Sequence, residues 1–291
     1  MKNLFLAIIL ISLLFLIFKI FKKAQINSFH AVVVNYYVCL ITGILFLGYL
    51  PTPTQFGSDW LQFGILTGSL FLPTFYLMAC TIEKLNVSVA TVANKMSLII
   101  PVVFSYFFLR KGPDHFSLIN ISGIGLAILA IILTSYKKPN GDKRPLFNYY
   151  FLLPIALFTS GGVLDSMVNY ANYAFLEGKE EGLFTIVMFG TAAAIGTIAL
   201  GTKMIYTRQG VALKDVLGGL ILGIPNFFSL YFFLKALSDF NNDGALLFPV
   251  VNISVIITAT LLAVLLFKES LSLVNLSGIV LSALSLILLF W

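Results

Sequence analysis

Two ionisable residues, Lys95 and Asp165, stand inside long apolar runs of this chain. Lys95 lies eight residues past Val87, roughly 12 Å along a helix that rises 1.5 Å per residue. Asp165 lies eight residues before the end of its own run. A charged group at that depth is costly in hydrocarbon and marks a functional site by default. Both residues belong to polar stripes. Ser88, Thr91 and Lys95 follow i, i+3, i+7, with Asn94 beside them. Asp165, Asn169 and Asn172 follow i, i+4, i+7. Each set shares one helical face, which must line a cavity and avoid lipid.

Three kinds of chemistry are open to this pair. Lys95 can hold an anionic substrate group; the two can lock their helices as an ion pair; or either can carry a proton, since burial disfavours the charged form. Tyr76, Asn35 and Asn226 are further lining candidates that offer neutral hydrogen bonds. Pro73, Pro101, Pro225 and Pro249 free backbone carbonyls inside apolar runs, which suits a cavity wall or a kink. His30, Glu83, Asp239, Asp243 and Glu269 fall at run ends and read as interfacial or solvated groups.

Other chemistries find little support. Cys39 and Cys80 have no CxxC spacing. With only His30 and His115 present, no metal site is expected. Ser160 near Asp165 has no base beside it, so no catalytic set is assembled. No nucleotide-binding loop is present, and no cofactor is expected. Transport energy would come from a gradient, with a proton or other coupling ion as a possible partner.

The elements that must hold these residues follow from composition. Of 291 residues, 59% are hydrophobic and 10% charged, and the mean hydropathy is +0.99. A soluble domain carries about 25% charged residues, so the partner of this surface is the lipid bilayer. Ten apolar runs are expected as helices: 3–21, 29–50, 60–82, 87–109, 117–135, 149–173, 183–205, 216–237, 244–267 and 271–290. Each is near the ~20 residues that cross a bilayer. The net charge of +6 sits at the run ends, where it anchors helices and sets orientation; no nucleic-acid partner is expected. The first run is followed by Lys19, Lys22 and Lys23, without the small-residue cleavage site of a signal peptide.

The chain also repeats itself. Ser117-Leu-Ile-Asn120-Ile-Ser122-Gly123 reads again as Ser272-Leu-Val-Asn275-Leu-Ser277-Gly278. Gly64 and Gly68 correspond to Gly219 and Gly223, both with the small-xxx-small spacing that lets helices approach closely. Ser97 then matches Ser254, and Lys95 falls on Asn252. The expected fold is all-α integral membrane: ten transmembrane helices as two inverted five-helix repeats. The first repeat spans 1–135, a polar connection 136–148, and the second repeat 149–291. An odd count of helices makes the halves enter the membrane in opposite senses, the build of many secondary transporters.

Two passages resemble the drug/metabolite transporter superfamily, in its EamA-like ten-helix branch. One is Tyr76-Leu-Met-Ala-Cys-Thr-Ile-Glu-Lys-Leu-Asn86-Val-Ser88-Val-Ala90, leading into Pro101 and Arg110. The other is Phe267-Lys-Glu269-Ser-Leu-Ser-Leu-Val-Asn-Leu-Ser-Gly278. The resemblance implies a transporter of small metabolites or drugs and names no substrate. It also implies both termini in the cytoplasm, whereas the excess of Lys and Arg in the odd-numbered loops places those loops there instead. Arg110-Lys-Gly-Pro-Asp114 departs from the Lys268-Glu269 pattern of the second half.

The expected function is therefore alternating-access transport in a multi-pass protein of the bacterial inner membrane. A small-molecule substrate, anionic or zwitterionic, would bind between the halves on Lys95, Asn94, Asn252 and Thr91, with Asp165 assisting. An intramembrane enzyme and a non-catalytic or lipid-flipping assembly subunit are the competing classes.

Overall fold

The computed structural model describes residues 2–48, 58–104, 117–136, 149–175, 181–208, 210–240 and 244–289. They form helices α1 (Lys2–Lys23), α2 (Ser28–Leu47), α3 (Asp59–Lys84), α4 (Val87–Met96), α5 (Ile99–Phe104) and α6 (Leu118–Ser135). A short 3-10 turn then leads into α7 (Leu152–Ala174), α8 (Glu181–Thr207), α9 (Leu213–Asp239), α10 (Gly244–Phe267) and α11 (Leu273–Leu289). No strand occurs among the described residues. Eight helices are long and apolar enough to cross a membrane, and two shorter apolar stretches, Val87–Pro101 and Leu273–Leu289, complete the ten runs. Arg110, Lys111, Asp114, His115, Asp243 and most of the 136–148 connection lie outside the described residues.

The fourth run departs from the expected single helix over 87–109. It breaks at Ser97–Leu98. Pro101 supplies the cause. It has no N–H for the carbonyl of Ser97 four residues earlier, and Ile100 N–H takes that carbonyl instead, at 2.9 Å. This shorter i→i+3 bond tightens the turn and separates α4 from α5. Pro73, Pro225 and Pro249 stay inside continuous helices.

The repeated small residues are packing surfaces. A Cβ on Gly68 would lie 2.6 Å from Met188 O, and one on Gly64 3.1 Å from Val187, so α3 lies against α8. A Cβ on Gly223 would lie 2.9 Å from Asn35 O, and one on Gly219 2.4 Å from Val34, so α9 lies against α2 in the same way. Between α2 and α8, Gly43 meets Ile186 while Gly196 meets Val33. The α2 and α8 residues in these contacts (34 and 187, 35 and 188, 33 and 186, 43 and 196) all stand 153 positions apart.

The repeated Ser-x-x-Asn has a double role. Ser117 caps α6 in a capping box with Asn120, and Ser272 and Asn275 form the same bonds at the start of α11. Each Asn amide then reaches across. Asn120 Nδ2 donates to Leu289 O at 3.0 Å, and Asn275 Nδ2 to Thr134 O and Tyr136 O, both at 2.9 Å. Each amide thus satisfies last-turn carbonyls of the other helix, which have no partner of their own. Helices α6 and α11 are therefore antiparallel, and Gly123 and Gly278 bring their backbones together.

One end of the bundle carries most of the described basic residues. There α1, α3, α8 and α10 finish with Lys19, Lys22, Lys23, Lys84, Lys203 and Lys268, and α2, α4 and α9 begin. We term it the basic end.

Candidate functional site

Asp165 lies on α7, whose neighbouring turn carries Gly161 and Gly162. Both glycines face the broken fourth run. A Cβ on Gly161 would sit 3.2 Å from Asn94 Nδ2 and from Ser97 Oγ, and one on Gly162 only 2.3 Å from Ile100. The absence of side chains there lets α7 close onto the α4–α5 break. Asp165, four residues after Gly161, shares its helical face and meets the break at Ser97.

Ser97 Oγ lies 2.5 Å from Asn94 O and 3.2 Å from Asp165 Oδ2. Its single proton can serve one of the two at a time. Lys95 and Asp165 act on each other electrostatically, but the described ion pairs within 4.0 Å are Lys19–Glu269, His30–Asp215 and Lys84–Glu83. The two central charges thus face one another without direct contact. Lys95 is half-buried, and Asp165 keeps more than a third of its surface open.

The other expected site residues are distributed unevenly. Asn94 is half-buried beside Gly161. Thr91 is fully buried, and its hydroxyl donates to Val87 O of its own helix at 2.9 Å. Asn252 is 8% exposed on α10, which packs against α4. Asn169 is half-buried and engaged; the side chain of Asn172 is outside the described residues. Tyr76 lies apart from this group, with its ring edge-on to Phe29 at 5.4 Å, toward the basic end. Asn35 and Asn226 also lie apart and bind each other: Asn226 Nδ2 donates to Asn35 Oδ1 at 3.2 Å across the α2–α9 contact.

Two run-end residues are more enclosed by protein than expected. His30 is not open at the run end. It is 5% exposed, and its Nδ1 lies 2.9 Å from Asp215 Oδ2, while Asp215 Oδ1 accepts from Asn27 N–H at 2.9 Å. Asp215 is itself buried, a position the sequence reading did not single out. Glu269 is not solvated either: its side chain is 5% exposed. It accepts from Val87 N–H and Ser88 N–H at 3.4 Å and from Ser88 Oγ at 3.3 Å, and lies 3.5 Å from Lys19 Nζ. The carboxylate caps the N-terminus of α4, where free N–H groups and the helix dipole favour negative charge. The His30–Asp215 contact spans 185 positions and the Val87–Glu269 contact 182, so no local periodicity could reveal them.

Among the described residues no group of His, Cys, Asp and Glu is arranged to hold a metal ion. The fold and its apolar surface define a multi-pass helical membrane protein. Residues 2–136, slightly under half of the chain, match the model of the EamA-like transporter family. An uncharacterized protein of Haemophilus influenzae is 26% identical over 303 aligned residues, covering 100% of this chain and 98% of the relative. A solved crystal structure superimposes with a TM-score of 0.64 at 16% identity, over 99% of this chain and 94% of that one; this likeness is one of fold. Members of the family are generally transporters.

Proposed function

We propose that the protein is a secondary active or facilitative transporter that moves a small metabolite or drug by alternating access. The observation that carries this reading is the separated pair at mid-depth. Lys95 and Asp165 lie on adjacent helices at a helix break, out of direct contact, with part of the Asp165 surface open. Two opposite charges held apart in a low-dielectric interior are poorly compensated by each other. A zwitterionic ligand relieves both: its acidic group meets the Lys95 ammonium and its basic group the Asp165 carboxylate. A purely anionic ligand uses Lys95 together with the amides of Asn94 and Asn252. Asp165 then serves as the proton-carrying group, with Ser97 switching its hydroxyl between Asn94 O and the carboxylate.

The two halves act as inverted repeats in this mechanism. The matched contacts of α3 with α8 and α9 with α2, and the reciprocal caps of α6 and α11, support that symmetry. A pseudo-twofold bundle has two equivalent closures, one at each end, and transport exchanges them.

The test is a ligand-stabilisation screen of the purified protein across amino acids, nucleosides, sugar phosphates and cationic drugs. A zwitterionic or anionic class raises the melting temperature of the wild type, and the rise disappears in Lys95→Gln. Stabilisation by cations alone, unchanged in Lys95→Gln, contradicts this assignment of the site.

A further inference from the structure

The two ends of the bundle are not in the same state. At the basic end, the last turns of α1 pack against α3 and α4. Phe18 meets Phe75 edge-on at 6.3 Å, Lys22 Nζ donates to Glu83 O at the close of α3, and Lys23 lies over the Phe267 ring at 4.7 Å. By position in the repeats, α7 stands where α1 does, and α9 and α10 stand where α3 and α4 do. Among the described residues, α7 makes no comparable packing on α9 or α10 at the other end. The open surface of Asp165, on α7, agrees with this difference. Among the described residues, the packing that closes the basic end has no comparable counterpart at the opposite one.

We infer that Glu269, Lys19 and the N-terminus of α4 form the latch that holds the basic end shut. Glu269 sits on the connection between α10 and α11, Lys19 on α1, and Val87 and Ser88 open α4. One buried carboxylate thereby ties three separate elements at a single point. Two N–H groups, one hydroxyl and one ammonium, at 3.3–3.5 Å, all bring positive or donor character to the carboxylate. Opening a path from the basic end to Lys95 requires α1 to part from α4, and that motion separates Lys19 from Glu269. The latch also couples to the site through one short helix. Ser88 and Lys95 are both on α4, two turns apart, so displacement of the α4 N-terminus moves the ammonium.

The inference rests on the alternating-access reading, and labelling separates the two. A cysteine at Thr91, between latch and site, is introduced into a Cys39→Ala/Cys80→Ser background. A membrane-impermeant maleimide is then applied to the basic face of vesicles holding monodisperse protein. The single cysteine reacts slowly in the otherwise unchanged protein. Glu269→Gln raises the rate about tenfold, the scale of losing hydrogen bonds to a charged group. Lys19→Gln raises it less, and the double variant reacts no faster than Glu269→Gln alone, because both changes disrupt one contact. Rates that stay within about twofold in both single variants, or effects that add in the double variant, overturn the latch. A cysteine that reacts from the basic face in no variant overturns alternating access and the latch together. One that reacts at a rate Glu269→Gln leaves unchanged removes the latch alone.

Discussion

Lys95, Asp165, His30, Asp215 and Glu269 are charged or titratable groups placed where water is scarce, yet they are stabilised differently. His30 and Asp215 are in contact at 2.9 Å, with Asn27 N–H completing the carboxylate. Removing one member of such a buried pair leaves the other buried without its partner. His30→Gln is therefore expected to destabilise the protein by about 3 kcal/mol, and His30→Gln/Asp215→Asn by clearly less. Thermal unfolding in detergent measures both. Lys95 and Asp165, held out of contact, respond in another way: Lys95→Gln lowers thermal stability little but removes ligand stabilisation. If Lys95→Gln instead destabilises the fold strongly and Lys95→Gln/Asp165→Asn restores it, the pair is a structural lock. The two central charges were legible in the sequence because each interrupts an apolar run. The His30–Asp215 and Glu269–Lys19 pairs were not, because each partner sits at a helix end, where a charge is ordinary, and only the tertiary fold brings them together.

At the scale of elements, glycine decides how near the helices come. Gly68 and Gly223 face backbone of α8 and α2 at distances that no Cβ can occupy without movement. Gly68→Val and Gly223→Val are each expected to destabilise the bundle by about 1–3 kcal/mol, as overpacking does. Gly125 on α6 has nothing within 4 Å of its Cβ position, so Gly125→Ala leaves the melting temperature unchanged or slightly raised. Small-xxx-small spacing announced these contacts in the sequence. It did not name the partner helices, since spacing describes one surface and packing needs two. The matching Ser and Asn residues likewise signalled a repeat, while their cross-caps between α6 and α11 emerge only from the fold. The α4–α5 break is the element on which the site depends. Pro101 was legible as a helix breaker, but its effect is felt four residues earlier, at Ser97, which is where Asp165 is met. Pro101→Ala restores an N–H for Ser97 O, favours a continuous helix, and is expected to weaken ligand stabilisation while raising thermal stability.

At the scale of the whole molecule, the chain is dominated by apolar helices, and the proposed function places the work in the bundle and its internal charges. On the proposed reading, the matched helix contacts reflect two related ends of the bundle, and among the described residues the basic end is the closed one. The central claim is that closure alternates around a substrate held by Lys95 and Asp165. Counterflow in liposomes tests it most directly, using as labelled probe the zwitterion or anion that stabilises the purified protein. Vesicles preloaded with the unlabelled compound should accumulate the label transiently with wild-type protein, and those carrying Lys95→Gln should not. Equal accumulation by Lys95→Gln and wild type, or binding of the compound with no accumulation by either, would contradict the account.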